Sequence, residues 1–257
     1  MKAAITSTAR WAWPVVNPVW RLAFPAWRAW RRRPPSLYEG TEYADRSSAF
    51  SLIHAQNRWG STESVSGTGS TMAYTAPLRA ALPPLLQKLG VKRFLDAPCG
   101  DFNWMPHVRL PEDCRYIGAD IVPDIVAKLA ERHGTEKRSF MRLDIVEDAL
   151  PEADLWLCRD VLIHLSNADV ASVLRNMARS TIRWFLISTY DIGAENQDII
   201  SGGFRFLDLH KAPFNLPAPQ QRIDDFVFPY PPRTLGLWSR EQIAAAVGTR
   251  AAERARG

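Results

Sequence analysis

A doubly wound α/β domain is the fold this sequence predicts, on three observations. Short apolar runs alternate with helical periods after Gly90, four of those runs end at or beside an acid, and a tight turn, Asp96-Ala97-Pro98-Cys99-Gly100, follows the first. The runs at 93–96, 116–120, 139–143, 153–159 and 184–189 read as strands, apolar and bounded by turn residues. Helical stretches centre on 104–109, 123–133 and 167–180, with one turn at 147–149. Such alternation places parallel strands edge to edge with crossover connections, so a sheet of about seven strands with helices on both faces is expected. A further helix over 76–89 precedes the first strand. Pro77 falls in its first turn, Pro83-Pro84 is expected to kink or divide it, and Gly90 closes it.

Composition divides the 257 residues into a basic Trp/Arg-rich extension (1–38), a connector with a Gly/Ser-rich loop (39–75), the α/β domain (76–245) and a tail (246–257). Seven of the 32 Lys and Arg lie in 1–38 with none of the 27 acids, which leaves the rest of the chain at 25 bases against 27 acids. That balance is not the footprint of a body that grips phosphate backbones, and no nucleic-acid partner is expected. Three cysteines without CxxC or CxxH spacing indicate neither a disulfide framework nor a zinc site, and point to a cytoplasmic chain. No apolar run approaches the ~18–20 residues of a membrane-spanning helix. The extension mixes five Trp with Arg and Pro, so peripheral membrane contact through 11–33 stands open beside a plain tail, a misassigned start or an arm packed on protein. Its mixed charged and apolar residues do not form a secretory signal.

Open α/β sheets bind ligands at the carboxyl ends of their strands, beside the switch point of strand order. Here those ends carry Asp96, Asp120, Asp144-Ile145 and Arg159-Asp160. Gly100 lets backbone approach a ligand, and Asp120, some twenty residues beyond that turn, is placed to accept both hydroxyls of a ribose. Pro98 and Cys99 stand where a dinucleotide-binding turn needs small residues and donors, which argues for a nucleoside cofactor without a pyrophosphate. The loop before the helix, 54–75, lacks the GKS/T ending of a phosphate-cradling loop.

With these acids in register, residues 92–190 resemble the Rossmann-like class I S-adenosylmethionine-dependent methyltransferases, whose fourth-strand motif often reads VLxHL; here it is Val161-Leu162-Ile163-His164-Leu165. The chain is also similar to a bacterial branch of that class, of small-molecule and glycan type, with WGSxESxSGxGS before the sheet and DAPCGDFxWM as first motif, present at 59–70 and 96–105. The resemblance implies S-adenosylmethionine as cofactor. It puts Asp96, Ala97, Pro98 and Gly100 around the methionine part, Asp120 on the ribose, Ile121 against the adenine face, Asp144 and Ile145 at the adenine edge, and Arg159 beside the methionine moiety. Ser66, Gly67 and Ser70 would belong to a lid.

Methyl transfer is an in-line displacement from a sulfonium, so the enzyme chiefly positions the nucleophile and excludes water, and a hydroxyl acceptor also needs a base or a metal. Asp160 and His164, at i and i+4, share a face if a helix turn starts there, and His164 is the first base candidate. His210 is the second. Metal is not indicated, because DVLIH carries Ile163 where a metal-binding ExxEH pattern has its second carboxylate. The long segment after the fifth strand, read as an insertion or a hairpin arm, offers Tyr190, Asp191, Arg205, Asp208 and Phe214 to the acceptor. The expected activity is O-methylation of a sugar, glycan or other small polar molecule. A lipid-linked acceptor and a non-catalytic cofactor-binding scaffold are the alternatives.

Overall fold

The computed structural model describes residues 45–191, 195–227, 230 and 232–254, with side chains through 248. The chain divides into compact units Met1–Thr41 and Glu42–Gly257, and the described residues all belong to the second. The 11–33 stretch considered for membrane contact lies outside them.

Seven strands form one sheet: β1 (Arg93–Asp96), β2 (Arg115–Asp120), β3 (Arg138–Arg142), β4 (Leu155–Cys158), β5 (Trp184–Tyr190), β6 (Gln221–Asp224) and β7 (Arg233–Ser239). Their order is β3-β2-β1-β4-β5-β7-β6, with β1 to β5 parallel and β7 antiparallel to both neighbours. The chain therefore moves outward from β1 to β3, returns to β4 beside β1, and moves outward the other way. The β1/β4 junction is the switch point, and right-handed crossovers put the β2–β3 and β4–β5 helices on opposite faces. Those helices are α3 (Pro123–His133) and α4 (Asn167–Arg179), the latter capped by Ser166, whose hydroxyl accepts from the Asp169 N–H. With both faces covered, β4 is buried at every residue and so are β5 beyond Trp184 and all of β7.

The other elements correct several expectations. Residues placed in a connector form α1 (Arg46–Ala55), started by the Asp45 side chain accepting from the Ser48 N–H and anchored by buried Ala49, Phe50 and Ile53. The next helix, α2 (Met72–Leu89), begins four residues before the predicted start, on a Thr71 cap, and is unbroken through Pro83-Pro84. Burial of Leu78, Leu82, Leu85 and Leu86 on one face offsets the donors its prolines lack. Gly90, at φ 64, closes it as predicted. The β1–β2 crossover holds only a 3-10 turn, Met105–His107, where a helix over 104–109 was expected: the turn after β1 and Pro111 leave it little length. Within the expected tail, α5 (Arg240–Arg254) remains helical. No helix among the described residues is long and apolar enough to cross a membrane.

Candidate functional site

β1 ends level with Gly118 of β2 and Leu157 of β4, which sets Asp96 at the switch point. Its carboxylate is 3% exposed and accepts from the Tyr116 hydroxyl at 2.7 Å. Burial pushes Asp96 up to about 7, against the Tyr116 hydrogen bond and the Arg159 charge. The turn that follows has a cis Ala97–Pro98 peptide and Gly100 at φ 54. Ala97 is wholly buried, its carbonyl accepting from Trp156 Nε1 at 2.8 Å, and Pro98 is half-buried. At the end of β2, Asp120 accepts from the Gly100 N–H at 3.1 Å and the Val122 N–H at 3.0 Å. Burial pushes this carboxyl up to about 6, against those backbone donors. Asp96 and Asp120 thus flank one glycine turn, both desolvated.

Asp144 and Ile145 follow β3 and are held by protein groups. Asp144 Oδ2 is engaged by Arg46 Nη2 at 2.9 Å and Oδ1 by the Val146 N–H at 2.9 Å, so this acid ties α1 to the end of β3. Ile145 is buried, its carbonyl bound by Asn176, while Ile121 is half-buried beside β2.

The Gly/Ser-rich loop lies over the first turn. Asp101 accepts from the Ser64 hydroxyl (3.0 Å) and the Val65 N–H (2.9 Å) and donates its own N–H to Ser66 Oγ (2.9 Å). Asn103 donates to the Ser70 carbonyl, and Gly67, at φ 93, packs on Trp59. A Cβ on Gly100 would stand 2.3 Å from Ser66 Oγ, which is why the loop closes only over glycine.

Beyond β4 the charges form a clasp. Arg159 donates to both oxygens of Asp225, at 2.8 and 3.1 Å, and to the Gly69 carbonyl at 2.7 Å, and its guanidinium lies 5.5 Å from the Trp104 ring centroid. Arg233 stands 2.9 Å from the same Asp225, bonds Asp160 Oδ2 and sits over Tyr74. Burial and the neighbouring Arg159 charge push the Arg233 guanidinium down, whereas burial pushes Asp225 up against Arg159. Arg159, expected beside the methionine moiety, holds the loop to the sheet through these bonds, and its charge also acts on Asp96. Asp160 adopts φ 56, donates its N–H to Ser188 Oγ, and keeps Oδ1 buried with no hydrogen-bond partner among the described residues.

Because Asp160 is left-handed and the following turn, Leu162–His164, is 3-10 rather than α, Asp160 and His164 do not share the helix face that i, i+4 spacing implied. The His164 ring instead meets Trp59 (5.5 Å) and Phe204 (5.7 Å), with Nδ1 2.7 Å from the Gly203 carbonyl. His210 lies elsewhere, with Nε2 against Arg222 of β6 and its ring on Trp238 of β7. The segment after β5 is irregular rather than a hairpin, and bonds back to the His164 and Ile163 carbonyls through the Gly202 and Arg205 N–H groups. Tyr190 is buried against Phe206 at the end of β5, and Asp191 beside it is exposed. Asp208 accepts from the His210 N–H and Phe214 is wholly buried, which makes both interior supports rather than cleft walls. Arg205 is buried next to Phe204. Asp225, Arg233, Arg46 and Tyr116 were missed. Asp101 had a signal, as an acid directly after the Gly100 turn that can bind nearby N–H groups.

No family model and no curated protein sequence matches the chain. Among solved structures it is similar to the mitomycin 7-O-methyltransferase MmcR, at 19% identity and TM-score 0.56, over 83% of this chain and 68% of that one. It is also similar to PigF, solved with SAH (16%, TM-score 0.52, 78% and 63% of the two chains). A third likeness is to the magnesium protoporphyrin IX methyltransferase ChlM from Synechocystis PCC 6803, solved with SAM (15%, TM-score 0.50, 77% and 98%). The chain thus spans from just under two thirds to nearly all of these relatives' length. What it has in common with them is the doubly wound, Rossmann-like α/β fold.

Proposed function

We propose that the chain is an S-adenosylmethionine-dependent methyltransferase that O-methylates a sugar, glycan or other small polar acceptor. The observation that carries this is the pair Asp96 and Asp120, buried at the ends of adjacent strands, Asp96 at the switch point and Asp120 one strand away, joined by the turn whose Gly100 N–H donates to Asp120. Two desolvated carboxylates fit a ligand rich in donors: Asp120 holds the ribose hydroxyls and Asp96 the amino group, with Ala97, Pro98 and Gly100 along the methionine part. Ile121 and Ile145 flank the adenine, Asp144 acts through its bond to Arg46 at that edge, and Ser66, Gly67 and Ser70 cover the cofactor. When bound, the cofactor supplies an electrophilic methyl group on a sulfonium.

The chain's own task is to bring the acceptor hydroxyl in line, exclude water and remove a proton. The Gly203 carbonyl beside His164 Nδ1 favours the tautomer protonated there, which leaves Nε2 as the basic nitrogen. Asp160, bonded to Arg233, positions the turn that carries His164. Tyr190, Asp191 and Arg205 shape the acceptor side. Calorimetric titration with S-adenosylmethionine tests the reading directly: a folded protein that fails to bind it sinks the proposal. Once screening of sugars and glycans finds an acceptor, His164→Ala is expected to lose turnover at unchanged cofactor affinity and His210→Ala to retain it. A chelator in the same assay decides whether a divalent metal takes part.

A further inference from the structure

Arg205 follows Phe204, whose ring meets that of His164, and its N–H donates to the Ile163 carbonyl at 3.0 Å, so it is tied to the turn that bears the candidate base. The residue is 6% exposed, yet its guanidinium is used on one side only. Nη1 donates to the Gln197 carbonyl at 2.7 Å and stands 3.6 Å from the exposed Asp198 carboxylate. Nε and Nη2, the donors of the opposite edge, are buried without a hydrogen-bond partner among the described residues. Buried donors are almost always paired, and an unpaired charged one is costly. Burial accordingly depresses the Arg205 guanidinium, and Asp198 offsets this only in part. The contrast with Arg159 and Arg233 is direct, since those two buried guanidiniums share Asp225. Among the described residues, Arg205 pairs with no buried carboxylate, only with the exposed Asp198. The Nε–Nη2 edge of an arginine is the one that meets two oxygens of a carboxylate or phosphate in parallel bonds.

We propose that this edge of Arg205 is a subsite for an oxyanion on the acceptor, so that the molecule methylated beside His164 is acidic. The inference rests on the methyltransferase reading and adds the charge of its substrate. Both donor atoms are closed to solvent, so an oxyanion reaches this edge only when the chain packed over it opens.

The test uses the full-length protein labelled with 15N-arginine, with the Arg205 Nε–H signal identified by its loss in Arg205→Lys. The probes are glucose, glucuronate and glucose 6-phosphate, each titrated with and without S-adenosylhomocysteine. Glucuronate or glucose 6-phosphate is expected to move that signal saturably, at a concentration at least about tenfold below any effect of glucose. The more potent anion distinguishes carboxylate from phosphate. Absence of a response to both anions, a response equal to that of glucose, or calorimetric anion binding unchanged in Arg205→Lys overturns the proposal. Cofactor affinity separates the two readings. Arg205→Lys that binds S-adenosylmethionine normally but has lost the anion supports the subsite, whereas a wild-type protein that binds the anion but no cofactor removes the methyltransferase reading and, with it, the assignment of that anion to an acceptor.

Discussion

Replacing Asp96 with Asn is expected to strengthen the fold while weakening the site. The carboxyl is 3% exposed and sits at about 7 in the folded chain, against 3.8 as its ordinary value. The unfolded chain therefore releases this proton near pH 4 and the folded chain only near pH 7. The stability this group contributes is fully present below about pH 4 and is lost as pH rises to 7. About three pH units at 1.36 kcal/mol each give an upper figure of ~4 kcal/mol at pH 8. Asn fills the same space, still accepts from the Tyr116 hydroxyl and has no proton to lose. In urea unfolding of the cofactor-free protein, the variant should exceed the wild type at pH 8 by about 2–4 kcal/mol, and the gap should shrink by roughly 2–3 kcal/mol at pH 5. S-adenosylmethionine affinity should fall roughly 10- to 100-fold, the worth of one charge-assisted hydrogen bond. A gap of zero at pH 8, or one that ignores pH, would refute the reasoning, because Arg159 would then already keep Asp96 ionised at no expense to the fold.

Asp120, at about 6, must be ionised to accept two ribose hydroxyls, so cofactor affinity should weaken as pH falls through 6, approaching about tenfold per pH unit; calorimetry giving a flat profile from pH 5 to 8 counts against it. Gly100→Ala combines a left-handed φ of 54 with a Cβ 2.3 Å from Ser66 Oγ. It should destabilise by roughly 1–3 kcal/mol in urea and weaken cofactor binding as the loop shifts, and native values for both would show that the loop is not seated there. Asp225→Ala leaves Arg159 and Arg233 buried without their shared carboxylate, for an expected loss of about 3–5 kcal/mol in urea unfolding. A loss under about 1 kcal/mol would mean that solvent reaches the clasp.

The central parallel strands were legible because burial on both faces demands continuous apolar runs, as in Leu155-Trp156-Leu157-Cys158, and because the acids at or beside their ends interrupt those runs. β6 was not placed, since a four-residue edge strand with alternating burial leaves little pattern to read. Arg233 opens β7 at a position that is 2% exposed, which no hydrophobic pattern anticipates. The clasp escaped for a different reason: Arg159 and Asp225 are 66 positions apart, and Arg46 and Asp144 are 98 apart. Only the folded sheet makes them neighbours. The spacing of Asp160 and His164 misled because i, i+4 proximity presupposes α-helical dihedrals, and Asp160 at φ 56 does not have them.

β7 runs back between β5 and β6, so its first residue, Arg233, lies opposite Tyr190, the last of β5. During synthesis, all five parallel strands and the glycine turn are made before Asp225 and Arg233. Until they are made, Arg159 and Asp160 lack their later partners. The ligand end is therefore assembled in two stages, and its second stage is the last strand. A stop codon or proteolytic cut near residue 220 would remove Asp225 and Arg233 together with the strand that pairs β5 along its whole length, leaving Arg159 and Asp160 without the partners that fasten the loop.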